Sequence, residues 1–205
     1  MEKAGNAEKL EKLAEHKISE GKRVHTGYES IFKEALLSES VPAFYELIAF
    51  PLHTGSVSKK DEKFYVPDFI TGLFINGKEV IIEPHFSMLI NLNYMKKLKA
   101  VREEFNFYII FASDKPEEEI NTGKGLCIRG FVDDFWYIEE QLGEEAWAQQ
   151  RIEATKHIQT LKKSCEMKSE EELTIYLFSK VEEIERINLI KGARRMKQLN
   201  GYGTL

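Results

Sequence analysis

An Asn-Gly pair, Asn76-Gly77, stands between two runs rich in β-branched and aromatic residues and constrains the fold more than any other feature. Both central residues of a type I′ turn need positive φ, which Asn and Gly adopt readily, so the pair predicts a two-residue hairpin. Residues 63–70 and 73–75 supply the strand before the turn, and residues 80–83 the strand after it. Val66-Pro67-Asp68-Phe69 and Ile81-Ile82-Glu83-Pro84-His85 then bring Asp68 and Glu83 toward the same end of two neighbouring strands. Two carboxylates held together in this way can bind a divalent cation.

The rest of the chain reads as helices around further strands. Tyr28, Phe32 and Leu36 recur every four residues and predict a helix from Thr26 to about Ser38. Residues 44–50 suit either a short helix or the approach to a strand ending near His53, and residues 54–62 form a polar linker. Tyr94, Leu98, Val101 and Phe105 give residues 87–105 an apolar helical stripe. Phe107-Tyr108-Ile109-Ile110-Phe111-Ala112 is a continuous apolar run, the signature of a strand buried on both faces. Residues 125–132 read as one more strand, followed by the aromatic segment Phe135-Trp136-Tyr137.

Trp147, Arg151, Ala154, Ile158, Leu161 and Cys165 mark one face of a helix that opens near Glu144. Ser169 and Glu172 form a capping box for a last helix carrying Leu173, Leu177, Val181, Ile184 and Ile187. A helix joining two strands that lie parallel makes this an α/β chain, a mixed central β-sheet flanked by helices. The expected organisation is a charged N-terminal helix or arm over 1–25, an α/β core over 26–140 and a C-terminal helical extension over 141–205, with a frayed tail from Gly201.

Composition narrows the classes. The 205 residues hold no apolar run near the roughly 18 needed to span a bilayer, so no membrane segment is expected. The N-terminus is too charged for a signal peptide. Cys127 and Cys165 lie far apart in apolar contexts, which predicts buried thiols in a reducing, cytoplasmic setting. A net charge of −5 counts mildly against nucleic-acid binding. Two local clusters count for it: Lys96, Lys97, Lys99 and Arg102, and Lys191, Arg194, Arg195 and Lys197.

These residues resemble the PD-(D/E)xK, restriction-endonuclease-like nuclease superfamily over roughly residues 26–113. Pro67-Asp68 matches the family's first element, Glu83-Pro84-His85 the second with histidine at the lysine place, and Glu29 an upstream helical acid. The resemblance implies a metal-dependent nuclease that hydrolyses DNA phosphodiesters, including branched or recombination intermediates, and works as a homodimer. It implies Mg²⁺ or Mn²⁺ held by Asp68, Glu83 and Glu29, with His85 and either Lys96 or Lys97 acting on water or phosphate. Lys96, Lys97, Lys99 and Arg102 would contact DNA. Lys78 lies at the opposite end of its strand from Glu83.

Plainer readings stand beside these. Asp68 also suits a turn cap beside Pro67, Glu29 completes a capping box with Thr26, and His85 suits an ordinary core or surface position. A histidine of ordinary pKa is mostly neutral at pH 7, unlike the lysine it replaces. That departure also fits a catalytically degenerate protein of the same fold that binds DNA or protein, or dimerises. The blandest reading is an α/β binding module whose acids are coincidental.

Overall fold

A computed structural model describes residues 15–21, 23–24, 26–52, 64–139 and 143–201, and only the backbone of 122, 144, 185 and 187–201. Most of the expected N-terminal arm, the linker at 54–62 with His53, the tail beyond Gly201 and the side chains of the Lys191 to Lys197 cluster lie outside the described residues. Helix α1 (Gly27–Ser38) opens on the capping box. Glu29 donates its backbone N–H to Thr26 Oγ1 at 3.1 Å, and its carboxylate accepts the Thr26 N–H at 3.3 Å. Short strands β1 (Ala43–Tyr45), β2 (Phe50–Pro51) and β3 (Phe64–Tyr65) follow, β2 and β3 forming a small sheet of their own.

Strand β4 (Phe69–Ile75) then turns into β5 (Lys78–His85). Asn76 and Gly77 take φ of 51° and 75°, the left-handed pair a two-residue hairpin requires. Helix α2 (Leu92–Phe105) carries the chain over to β6 (Tyr108–Ser113), parallel to β5, and α3 (Glu117–Lys124) leads to β7 (Asp134–Tyr137), parallel to β6. Helix α4 (Glu144–Lys162), strand β8 (Glu166–Met167) and helix α5 (Glu170–Gly201) complete the chain. The sheet runs β1-β4-β5-β6-β7, with β8 also paired to β4. The chain is therefore α/β, a mixed six-stranded sheet flanked by helices.

Each face of the sheet has its own core. Val80 and Ile82 of β5 pack with Tyr28, Phe32, Ala154 and Ile158 from α1 and α4. Ile81 lies on the other face with Leu98 and Val101 of α2 and Leu173 and Leu177 of α5. In β6, Ile109 and Phe111 enter one core and Ile110 and Ala112 the other, so the strand is apolar throughout. Both C-terminal helices thus supply core residues.

Several expectations need correction. Residues 125–132 are not a strand. Three glutamates in its first turn favour α3 through the helix dipole, and Gly125 at φ 62° ends it in the left-handed region. Asn121 Oδ1 then accepts the Ile128 N–H at 2.9 Å, folding the segment into a short 3-10 turn that buries Ile128 and leads to Val132. The last parallel strand is the aromatic segment itself. Of residues 44–50, Phe44 and Tyr45 belong to β1 and Phe50 opens β2, with irregular chain between, so of the two alternatives the approach to a strand holds and the helix does not. The helix expected from 87 begins at Leu92, because Asn91 caps it by accepting the Tyr94 N–H at 3.0 Å. Cys127 is exposed and Cys165 half-buried, both as free thiols, so neither is the buried thiol expected. Arg151 is exposed and pairs with Glu34 of α1 at 3.0 Å. No helix among the described residues is long and apolar enough to cross a membrane.

Candidate functional site

The hairpin register fixes the site. Phe69 pairs with Ile82, so Asp68, in the bend before β4, falls beside Glu83. Asp68 donates its backbone N–H to Glu83 Oε1 at 3.1 Å. Glu83 is 1% exposed, and Tyr94 of α2 donates its hydroxyl to Oε2 at 2.8 Å. The Asp68 carbonyl accepts the Glu46 N–H at 3.0 Å, which holds the chain after β1 alongside. Glu29, at the start of α1, accepts the Tyr45 hydroxyl at 2.6 Å.

Burial pushes the Asp68 carboxyl well above its ordinary pKa, and the charges of Glu83, Glu29 and Glu46 push it further. Glu83 rises to about 7 through burial, partly offset by the neighbouring Tyr65 and Tyr94 hydroxyls and the Asp68 N–H. The Tyr65 hydroxyl is fully buried and close enough to Glu83 for that charge to raise its own pKa, yet no partner meets hydrogen-bond geometry. Four carboxylates thus converge, and the strongest influences on Asp68 and Glu83 include no lysine or arginine.

The other expected site residues are distributed unevenly. His85 shares the Glu83 side of β5 and stacks on Tyr94, with ring centroids 4.5 Å apart and planes 11° from parallel. Burial lowers its pKa, which the Glu29 charge partly opposes, so the imidazole is neutral at pH 7. Around α2, Lys97 sits about 60° from Tyr94 and Lys96 about 160° away, so Lys96 projects from the opposite side. Lys99 pairs with Glu103 at 3.8 Å, which interrupts the basic stripe that ends at Arg102. Glu29 is committed to the capping box and to Tyr45, and it reaches the site as a charge.

Four further participants were not apparent as site residues in the sequence: Tyr45, Glu46, Tyr65 and Tyr94. Tyr65 stands three residues before Asp68 in the same run, and Tyr94 reads as part of the apolar stripe of α2. Their hydroxyls acquire a role only when the fold turns them toward carboxylates.

Among the described residues, no three His, Cys, Asp or Glu side chains form a complete metal-ligand set. Magnesium is nonetheless commonly held by one or two carboxylates with waters filling the remaining positions. Asp68 and Glu83 suit that arrangement. The buried Glu83 and the half-buried Asp68 beside it, both with raised pKa values, form a pair of acids that a divalent ion would complement. Without a cation they share protons instead.

A second buried acid lies on the same face of β5. Glu79 is 2% exposed, and neither carboxyl oxygen meets hydrogen-bond geometry with a partner. Burial raises its pKa to about 8, against the opposing effects of Lys180 and Tyr176 on α5 and of Lys168. Lys180 Nζ stands 5.0 Å over the Phe107 ring, and Lys168 Nζ 4.7 Å over Phe74.

Comparison of the chain with protein-family models, curated proteins and solved structures found no match.

Proposed function

We propose that this chain is a divalent-cation-dependent phosphodiesterase acting on DNA, a nuclease of the PD-(D/E)xK type. The observation that carries the reading is the Asp68–Glu83 pair, in which the buried Glu83 carboxylate accepts the Asp68 N–H and the charges of Glu29 and Glu46 act on Asp68 as well. Asp68 and Glu83 would hold Mg²⁺ or Mn²⁺. When bound, the ion supplies charge neutralisation at phosphorus and lowers the pKa of a coordinated water.

The chain's own groups divide the remaining work. Tyr94 and the Asp68 N–H orient the Glu83 carboxylate. Glu29 and Glu46 deepen the negative potential. Hydrolysis forms a bond from water oxygen to phosphorus and breaks one P–O ester bond. The water proton leaves to a site carboxylate or to solvent, and the departing oxygen takes a proton from solvent. Lys97 is the basic residue of α2 placed nearest the Tyr94 side of the site.

The neutral, stacked His85 favours a second reading, a catalytically degenerate fold retained for binding. One assay separates the two. The purified chain is incubated with supercoiled, linear and branched DNA and Mg²⁺ or Mn²⁺, beside Asp68→Ala and Glu83→Ala variants. Wild type is expected to cleave, and each variant to lose activity by roughly 10³-fold, matching the several kcal/mol a catalytic ion contributes. Cleavage indifferent to both substitutions contradicts the site. No cleavage of any substrate with either metal supports the binding reading.

A further inference from the structure

Every buried tyrosine but one among the described residues has a partner for its hydroxyl. Tyr28 donates to the Ile138 carbonyl at 3.2 Å and Tyr45 to Glu29 at 2.6 Å. Half-buried Tyr94 donates to Glu83 at 2.8 Å. Tyr65 is 5% exposed, and its hydroxyl is sealed from solvent with no partner in hydrogen-bond geometry. Burying a hydroxyl unpaired costs stability, so a group of this kind calls for an explanation.

The Tyr65 oxygen is also fixed in place. Tyr65 pairs with Phe50 across β2 and β3, and its ring packs 6.4 Å from that of Tyr94, with 54° between planes. Its surroundings are acidic. Burial pushes its pKa well above the ordinary phenol value, and the nearby Glu83, Tyr94 and Asp68 push it further. A protonated phenol therefore stands beside both carboxylates of the candidate cation site.

Glu83 already takes one bond on each oxygen, from the Asp68 N–H and from Tyr94. A phenol oxygen can accept as well as donate. Water coordinated to a divalent ion is a strong donor, because the ion draws charge from it. Magnesium held by one or two carboxylates keeps several such waters. Glu79, the other buried group without hydrogen-bond partners, stands in a different field: lysines, not acids, are among the strongest influences on it.

We propose that Tyr65 is a positioning residue of the cation site: its hydroxyl goes unbonded in the metal-free chain and accepts a hydrogen bond from a water coordinated to the ion that Asp68 and Glu83 hold. The phenol keeps its proton throughout. This rests on the reading of Asp68 and Glu83 as a cation site and adds to it a residue that touches neither ion nor substrate.

The test compares wild type with Tyr65→Phe, which removes the oxygen and keeps the ring. Metal-free full chains are unfolded in urea, and Mn²⁺ binding is followed by titration calorimetry at pH 7 and pH 8. Metal-free Tyr65→Phe is expected to unfold at the same urea concentration as wild type or a higher one, because an unpaired hydroxyl has left the interior. It should bind Mn²⁺ about 10- to 100-fold more weakly at both pH values, the loss typical when a group that supports a metal's ligands is removed. A metal-free variant that loses stability overturns the inference, since the hydroxyl is then already paired within the protein. Unchanged Mn²⁺ affinity overturns it too. So does a loss seen at pH 7 and absent at pH 8, because the hydroxyl then acts only through the Glu83 proton. A wild type that binds no Mn²⁺ at millimolar concentration contradicts the cation-site reading, and this inference falls with it.

Discussion

Replacing Glu83 with Gln should make the metal-free protein more stable at alkaline pH while reducing cleavage by roughly 10³-fold. The fold raises the Glu83 pKa from 4.5 to about 7, chiefly through burial. A carboxyl whose folded pKa exceeds its unfolded one favours folding most while protonated. Its contribution is complete below pH 4.5 and is lost as pH climbs through 7. The full penalty is about 3 kcal/mol at 1.36 kcal/mol per pKa unit. Gln is uncharged at every pH, and its amide oxygen can still accept from Tyr94 or the Asp68 N–H. Urea unfolding of wild type and Glu83→Gln at pH 5 and pH 9, without metal, should show near equality at the lower pH. At the higher pH the variant should gain about 1–3 kcal/mol. Equal stabilities at both values would show that the Glu83 charge is not confined as described. Stability surrendered where the chemistry needs a charge is the expected trade-off.

Glu79→Gln should stabilise still more and leave cleavage intact. Its folded pKa near 8 against 4.5 implies a penalty approaching about 5 kcal/mol above pH 9, vanishing below about pH 4.5. The groups facing Glu79 are Tyr176 and Lys180 from α5 and Lys168 from the segment before it. These lysines offset its charge without removing the desolvation cost. Thermal unfolding from pH 5 to 9 should show wild type losing stability more steeply than the variant, which keeps only the loss that Glu83 and Asp68 impose. A variant that tracks wild type across this range contradicts a buried, penalised Glu79. The two substitutions stand on the same face of one strand, so their different effects on cleavage separate site from scaffold.

What the sequence made legible follows from the range of each interaction. The hairpin, the capping boxes and the parallel strand at 107–112 depend on neighbours within a few residues, and the structure contains all of them. The nearness of Asp68 to the Glu83 end of β5 was legible from the turn, but their pairing was not: the register at the turn would set Asp68 against His85, and an irregularity between Ile70 and Phe74 moves it to Glu83. Helix α3 was obscured because its first turn is almost entirely acidic and only Ile120 marks a buried face. Tyr65 and Tyr94 read as ordinary core aromatics, since a phenol toward a carboxylate is decided by α2 packing across the sheet. The lysines of α2 were grouped by sequence proximity, yet 100° per residue sends Lys96 and Lys97 in different directions. Glu79 looked like one more polar residue after a turn, and only the docking of α5 buries it.

The central claim, that Asp68 and Glu83 form a cation site, is tested most directly by Mn²⁺ titration calorimetry of the metal-free full chain at pH 7. Repeating the titration in buffers of different ionisation enthalpy counts the protons released. Saturable binding with proton release is expected, because a ligand carboxyl that is partly protonated must lose its proton to coordinate. Loss of that binding is expected in Asp68→Asn and in Glu83→Gln. Absence of binding at millimolar Mn²⁺, or binding unchanged in both variants, would contradict a cation site at Asp68 and Glu83.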